Sequence, residues 1–237
     1  MKFFTVTATV AACAMININF VAAETSKGAS WAYKHNDADM ASPEQWAEHY
    51  PTCGGSRQSP VDIKVTTGGG LTARSLSFSG SCGDFNLTES DESFKGAVVG
   101  GSCSVSANDA TYDLTQFHLH SPSEHTIDGK ALDGEAHFVH SNNAVTPDKS
   151  QLLNLASYAD LINTKADADR VYNYPGSLTT PACDEIADWW VVPTPVKLSK
   201  TDFERLQKNL KELHVADDGK NARPVQPLNG RSIASLK

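Results

Sequence analysis

Residues 116–140, QFHLHSPSEHTIDGKALDGEAHFVH, hold five of the eight histidines of the chain, spaced for strands and not for a helix. Side chains on an extended strand alternate between two faces, so Gln116, His118 and His120 share one face while Phe117 and Leu119 share the other. Turn pairs at Asp128-Gly129 and Asp133-Gly134 return the chain. A second run then repeats the alternation, with Glu135, His137 and Val139 on one face and Ala136, Phe138 and His140 on the other. Two antiparallel strands of this kind bring His118, His120 and His137 to one point.

Three neutral imidazoles suit a zinc ion at about 2.0–2.1 Å and leave the fourth tetrahedral position for water, which is the arrangement of a catalytic site. A lone His-x-His pair on an exposed strand says little. Here the third histidine stands on a matching strand, and each strand carries a polar residue two positions before a histidine on the same face. Gln116 and Glu135 are placed to accept the second ring N–H of a ligand and so fix its tautomer and orientation.

The stretch resembles the zinc-binding core of the alpha-class carbonic anhydrases. YPGSLTTPAC (residues 174–183) resembles a second signature of that family and RQSPVDI (residues 57–63) a third, and the likeness runs from about residue 31 to the C-terminus. The resemblance implies a single domain, predominantly β with peripheral helices, around a large, mainly antiparallel central sheet. It also implies Zn2+ as cofactor and reversible hydration of carbon dioxide to bicarbonate and a proton. The zinc lowers the pKa of its water to about 7, carbonic anhydrase being the standard instance of this chemistry.

Further roles follow from the resemblance residue by residue. Thr179 matches the threonine that accepts a hydrogen bond from the nucleophile, and Glu124 the carboxylate that accepts from that threonine. Val139, Leu178 and Trp189 match the apolar wall that receives carbon dioxide, and Thr180 lines the same cleft. His125 and His140 match structural histidines, with Tyr174 and Ser59 in the same supporting network. Sulfonamides and small anions are implied as inhibitors at the open metal position. A reading from another class is a catalytically silent relative that binds zinc or a partner. Such relatives commonly lose a zinc histidine, and this chain keeps all three. A zinc peptidase is disfavoured because the His-Glu-x-x-His helix is missing.

Residues 1–23 carry Lys2, then the apolar run FFTVTATVAACAM, then Val21-Ala22-Ala23. This reads as a secretory signal peptide, with residues 24–237 as the domain and a secreted or extracytoplasmic location, without stable membrane insertion after cleavage. Loss of Lys2 with the leader leaves 19 basic against 28 acidic side chains, a net charge of −9. An acidic surface disfavours nucleic acid and anionic membranes as partners. Four cysteines remain after the leader, Cys53, Cys82, Cys103 and Cys183, an even number that an oxidising compartment would pair. Spacing leaves three connectivities open. The family resemblance joins Cys53 to Cys183, between the N-terminal region and the active-site loop, which leaves Cys82 with Cys103.

The remaining elements are coarser. Ser42-Pro43-Glu44 reads as an N-cap with proline in the first turn of a short helix ending near His49. Residues 60–141 have the texture of short strands, and Asn86-Leu87-Thr88 is a glycosylation acceptor sequence. DWWVVPTPVKL (residues 188–198) begins as a buried strand that Pro193 and Pro195 break. Residues 199–213 form the clearest helix, with Phe203, Leu206, Leu210 and Leu213 along one face. NARPVQPLNGR (residues 221–231) resembles the closing segment of the family, which threads back near the metal.

Two departures from the family stand out. No histidine occurs between Pro51 and Phe117, and the segment where fast members carry a proton-shuttling histidine reads SDESFKG, residues 90–96, with Glu92 nearest to that position. A carboxylate of ordinary pKa is a poor acceptor from a group near 7, so proton export to buffer is the expected limit on turnover. The interval between His140 and Tyr174 is also short. SQLLNLASYADLI (residues 150–162) resembles only the last part of what the family carries there; a strand that lies beside the 135–140 strand, with a following helix, has no evident counterpart, so either residues 151–156 take that strand's place or the strand is missing.

Overall fold

The structure, a computed structural model, describes residues 2–11, 30–65, 76–89, 94–107, 109–141, 152–154 and 171–236. In chain order the strands are β1 (Lys2–Ala11), β2 (Asp62–Ile63), β3 (Leu76–Glu89), β4 (Phe94–Ala107), β5 (Ala110–His120) and β6 (Thr126–Ile127). They continue with β7 (Gly134–Ser141), β8 (Leu152–Asn154), β9 (Val171–Gly176), β10 (Ala187–Leu198) and β11 (Ala234–Leu236). Nine of them form one sheet in the order β11-β9-β10-β1-β7-β5-β4-β3-β8, and β2 pairs with β6 apart from it. Within the large sheet every pairing is antiparallel except that of β1 with β7. The fold is thus mainly antiparallel β, with two α-helices among the described residues, α1 (Trp46–His49) and α2 (Lys200–Glu212).

Strand alternation divides the core. Trp190 and Val192 of β10 pack with Phe85, Val105, Leu114 and Phe138 on one face, and Trp189 and Val191 of the same strand pack with Tyr172, Tyr174, Val61 and Ile63 on the other. A third cluster joins Tyr33, Trp46, Cys53 and Cys183 to Leu210 and Leu213 at the end of α2. The sequence GEAHFVHS of β7 is buried over nearly its whole length, on both faces, as a strand inside a covered sheet must be. Helix α2 is capped by Ser199, whose hydroxyl accepts the Asp202 N–H at 3.1 Å, and it turns Phe203 and Leu210 inward.

Several elements differ from the sequence reading. The short helix begins at Trp46: Ser42 instead opens the preceding turn, its carbonyl accepting the Gln45 N–H at 2.8 Å, and it makes no side-chain cap. Pro193 and Pro195 do not break the strand. β10 runs through both, because the register against β1 shifts between Phe4↔Val196 and Val6↔Val192, so the ladder skips the residues that have no N–H to give. Asn86 lies within β3, 2% exposed, with Ala97 of β4 on one side and Leu152 of β8 on the other. A glycan has no room there, and the acceptor sequence is an ordinary strand segment. Strand β11, which pairs with β9, was not expected.

The largest difference concerns the short interval after β7. Its described strand, Leu152–Asn154, pairs with Asp84–Asn86 at the far edge of the sheet and does not lie beside β7. The position between β7 and β10 is filled by Lys2–Ala11, the segment that the sequence reading set aside as a leader.

Cys53 is bonded to Cys183 across a sequence separation of 130 residues, and Cys82 to Cys103 across 21, with Cα–Cα distances of 4.9 and 5.6 Å. A cross-link restricts the unfolded chain more when it closes a longer loop. Replacing Cys53 and Cys183 together by Ser should therefore destabilise the protein by about 1–2 kcal/mol more than replacing Cys82 and Cys103. Urea unfolding of the two variants measures the difference, and equal losses would contradict it.

Candidate metal centre

The register of β5 against β7 builds the cluster. His118 stands directly opposite His137, and His120 opposite Glu135, after a shift at Thr115 whose hydroxyl donates to the Val139 carbonyl at 2.9 Å. A cross-strand pair plus one residue two positions along the same strand therefore gives three imidazoles on one face. The ring centroids of His118, His120 and His137 lie 4.4 to 5.1 Å apart.

Each ring has one nitrogen committed to an oxygen that can only accept. His118 Nδ1 donates to Gln116 Oε1 at 2.9 Å, His120 Nδ1 to the Asn221 carbonyl at 2.6 Å, and His137 Nε2 to Glu135 Oε1 at 2.9 Å. The proton of each neutral imidazole is thereby placed, and the lone pairs are left on His118 Nε2, His120 Nε2 and His137 Nδ1. These atoms converge. His118 Nε2 and His137 Nδ1 are 3.1 Å apart, the three ligand atoms lie within 4.8 Å of one another, and His120 Nε2 is buried with no protein partner among the described residues. Two nitrogens on one tetrahedral zinc, each at about 2.0–2.1 Å, stand roughly 3.3 Å apart, so the donor set fits that ion. An all-nitrogen set with an orphaned buried lone pair has a better use for a cation than for a hydrogen bond.

The electrostatics keep the rings in the state a metal needs. Burial pushes the pKa of His118, His120 and His137 down. For His118, which falls well below the ordinary value, the neighbouring His137 and His120 and the Lys95 ammonium add to the effect. Burial pushes Glu135 up, but the imidazoles of His125 and His137 outweigh it and hold the carboxyl well below its ordinary range. Its two oxygens accept from His137 Nε2, His125 Nδ1 (2.8 Å) and the His125 backbone N–H (2.8 Å). His125 Nε2 lies 2.6 Å from the Tyr174 hydroxyl, which in turn is 3.0 Å from Ser59 Oγ. His125, Glu135 and His137 also form a tight group, but there the Glu135 carboxylate is taken up by the two rings and the His125 N–H, and His125 Nε2 faces the Tyr174 hydroxyl. His140 is fully buried on the core side of β7, away from the cluster.

Glu124 is different in kind. Burial raises its pKa to about 7 against the opposing pull of His137, of the Arg223 backbone N–H at 2.9 Å and of the Thr179 side chain. Thr179 sits in the turn that follows β9, held by Leu178 N–H to the Asp184 carbonyl (3.0 Å), Cys183 N–H to the Thr180 carbonyl (2.7 Å) and the bond to Cys53. Val139, Leu178, Thr180 and Trp189 line a cavity of about 270 Å³ together with the three histidines, Gln116 and Thr179.

Sequence reasoning missed three contributors. Asn221 supplies the acceptor for His120 through its backbone, and its side chain ties Ser121 N–H (2.9 Å) and the Leu119 carbonyl (3.0 Å) to the tail. Arg223 is buried beneath the site, its guanidinium donating to Gln58 Oε1, the Ser59 carbonyl and the Cys53 carbonyl at 2.8 to 3.1 Å, and burial lowers its pKa to about 10. Lys95, paired in register with His118, lines the cavity. It falls in the segment searched for a histidine, so its charge was passed over. Glu92 lies outside the described residues.

The titrations set a pH dependence for the metal-free chain. Imidazoles with folded pKa values below the ordinary 6.5 leave the unfolded chain binding more protons as pH falls through 6.5, so stability is lost on acidification. Glu124 has the opposite sign: between 4.5 and about 7 it is the folded state that holds the extra proton, and stability falls as pH rises through that range. Three groups outweigh one. The metal-free chain should lose stability from pH 6.5 toward 5, and Glu124→Gln should steepen the loss. Denaturant unfolding at several pH values tests this, and stability that rises on acidification would contradict it.

The sequence was compared with known proteins. The eukaryotic-type carbonic anhydrase family matches residues 41–154 and 144–237, two pieces that overlap in the interval after β7. The carbonic anhydrase of Neisseria gonorrhoeae is 31% identical over 242 residues, which cover 90% of this chain and 91% of that protein. The alpha-carbonic anhydrase of Photobacterium profundum superposes with a TM-score of 0.65 at 30% identity, covering 86% of this chain and 100% of the other. That of Thermovibrio ammonificans, solved with the inhibitor sulfanilamide, gives 0.64 at 29% identity, covering 87% and 99%. Likeness over nearly the whole length, in both sequence and sheet, shows that the chain belongs to the alpha-class, eukaryotic-type carbonic anhydrase family.

Proposed function

We propose that the protein is a secreted zinc carbonic anhydrase that interconverts carbon dioxide and bicarbonate. The observation that carries this reading is the convergence of three lone-pair nitrogens whose opposite ring protons are fixed by Gln116, Asn221 and Glu135. His118, His120 and His137 would hold a zinc ion, which when bound would supply an activated water at neutral pH, the nucleophile that carbon dioxide needs. The protein supplies the rest. Thr179, donating its own proton toward Glu124, is left to accept from the reacting oxygen, and this orients a lone pair toward the cavity. Val139, Leu178 and Trp189 offer an apolar wall to an uncharged substrate. Lys95 puts a positive charge in the same cavity, where bicarbonate and anionic inhibitors would feel it. Four cysteines in two bonds suit the oxidising compartment that secretion implies.

Stopped-flow hydration of carbon dioxide by the zinc-loaded protein is the test. Hydration above a free-zinc control and abolished by a sulfonamide is expected. A folded, zinc-loaded sample without it would leave a silent zinc-binding relative. Thr179→Val should lower kcat/KM on the order of 100-fold with zinc content unchanged; an unaltered rate would remove Thr179 from the chemistry.

With no histidine between Pro51 and Phe117, the proton leaves through solvent and buffer. The hydration rate should therefore climb with the concentration of a buffer of pKa near 7, and equal rates in dilute and concentrated buffer would contradict this route.

A further inference from the structure

The site is assembled across a strand that lies outside the three family-like motifs at residues 57–63, 116–140 and 174–183. Val139 and His137 come from β7 and Trp189 from β10, and β1 lies between the two, paired with both. Phe4 to Val10 run parallel to Gly134 to His140, and Lys2 to Ala11 run antiparallel to β10 from Leu198 to Ala187. Neighbouring strands stand about 4.8 Å apart, so β1 sets a gap of roughly twice that between β7 and β10. Across that gap the rings of His137 and Trp189 meet with centroids 4.9 Å apart.

Removing β1 would leave the facing backbone groups of β7 without partners beside Ala136, Phe138 and His140, which are 8%, 5% and 0% exposed. Buried backbone donors and acceptors do not stay unpaired. The chain after β7 does not fill the gap with its described strand, since Leu152–Asn154 lies at the opposite edge of the sheet. The sequence of β1, KFFTVTATVA, suits the place: it is rich in β-branched and aromatic residues and has neither glycine nor proline. In register, Thr5, Thr7 and Thr9 stand level with Glu135, His137 and Val139, and Val6, Ala8 and Val10 with Ala136, Phe138 and His140.

We propose that the position between β7 and β10 is a strand-acceptor site whose occupant is this chain's own Lys2–Ala11, so that the N-terminal segment is a working part of the metal domain. Main-chain pairing on both sides supplies the recognition, as in other cases of strand addition. This role stands against the reading of residues 1–23 as a leader that is cut off and released, because cleavage after Ala23 with release of the fragment would empty the acceptor beside His137. The inference does not depend on the proposed activity.

Hydrogen exchange of the intact chain, followed by mass spectrometry, tests it. Amides of residues 2–11 should exchange at least about 100-fold more slowly than in the free peptide of the same sequence. Exchange at the free-peptide rate, with residues 134–140 protected, would overturn the proposal. A second experiment inserts a protease site after Ala23 and cuts the folded chain. Co-elution of the fragment with the domain, or its release with loss of protection over residues 134–140, supports the acceptor. Release with that protection unchanged overturns it.

Discussion

The site depends on one constraint, the register in which β5 meets β7. With His118 opposite His137, three imidazoles share a face; a slip by one residue would turn the histidines of one strand to the core and Phe117 or Phe138 toward the cavity. The core enforces the register, because Phe138 is buried between Phe117 and the Trp190 cluster while Glu135 and His137 are buried on the opposite face. Packing on one side of the sheet thus fixes the metal geometry on the other.

Register brings the rings together, and hydrogen bonds decide which nitrogen each ring presents. Two of the three acceptors, Gln116 and Glu135, come from the strands themselves, and the third is a backbone carbonyl of the tail 101 residues after His120. The same tail donates the Arg223 N–H to Glu124 and sets the Arg223 guanidinium under residues 53–59. Two buried carboxylates near the cluster are held in different states by this arrangement. Glu135, surrounded by ring donors, stays ionised; Glu124, with fewer, is raised to about 7 and is left free to answer to Thr179.

The legible part of this fold is the part with a period. Alternation of two faces exposed the three histidines, Gln116 and Glu135, because a strand repeats every two residues and imidazoles are rare enough to mark one face. The Asn221 carbonyl left no such mark, since a backbone acceptor has no side-chain signature. Pro193 and Pro195 read as a break because proline gives no N–H, and the register shift that absorbs them depends on a partner strand elsewhere in the chain. Asn86 matched an acceptor pattern of three residues, whereas its burial depends on β4 and β8 beside it. Lys2–Ala11 was set aside because β-branched and apolar residues serve a leader and an inner strand alike, and only pairing tells them apart.

The claim on which the account rests is that His118 Nε2, His120 Nε2 and His137 Nδ1 hold zinc and leave one position open. X-ray absorption at the zinc edge, on the zinc-loaded protein, measures this directly. The account predicts three imidazole nitrogens and one oxygen donor at about 2.0–2.2 Å, with no sulfur. Sulfur in the coordination shell, a fourth imidazole, or an ion lost on dialysis would contradict it.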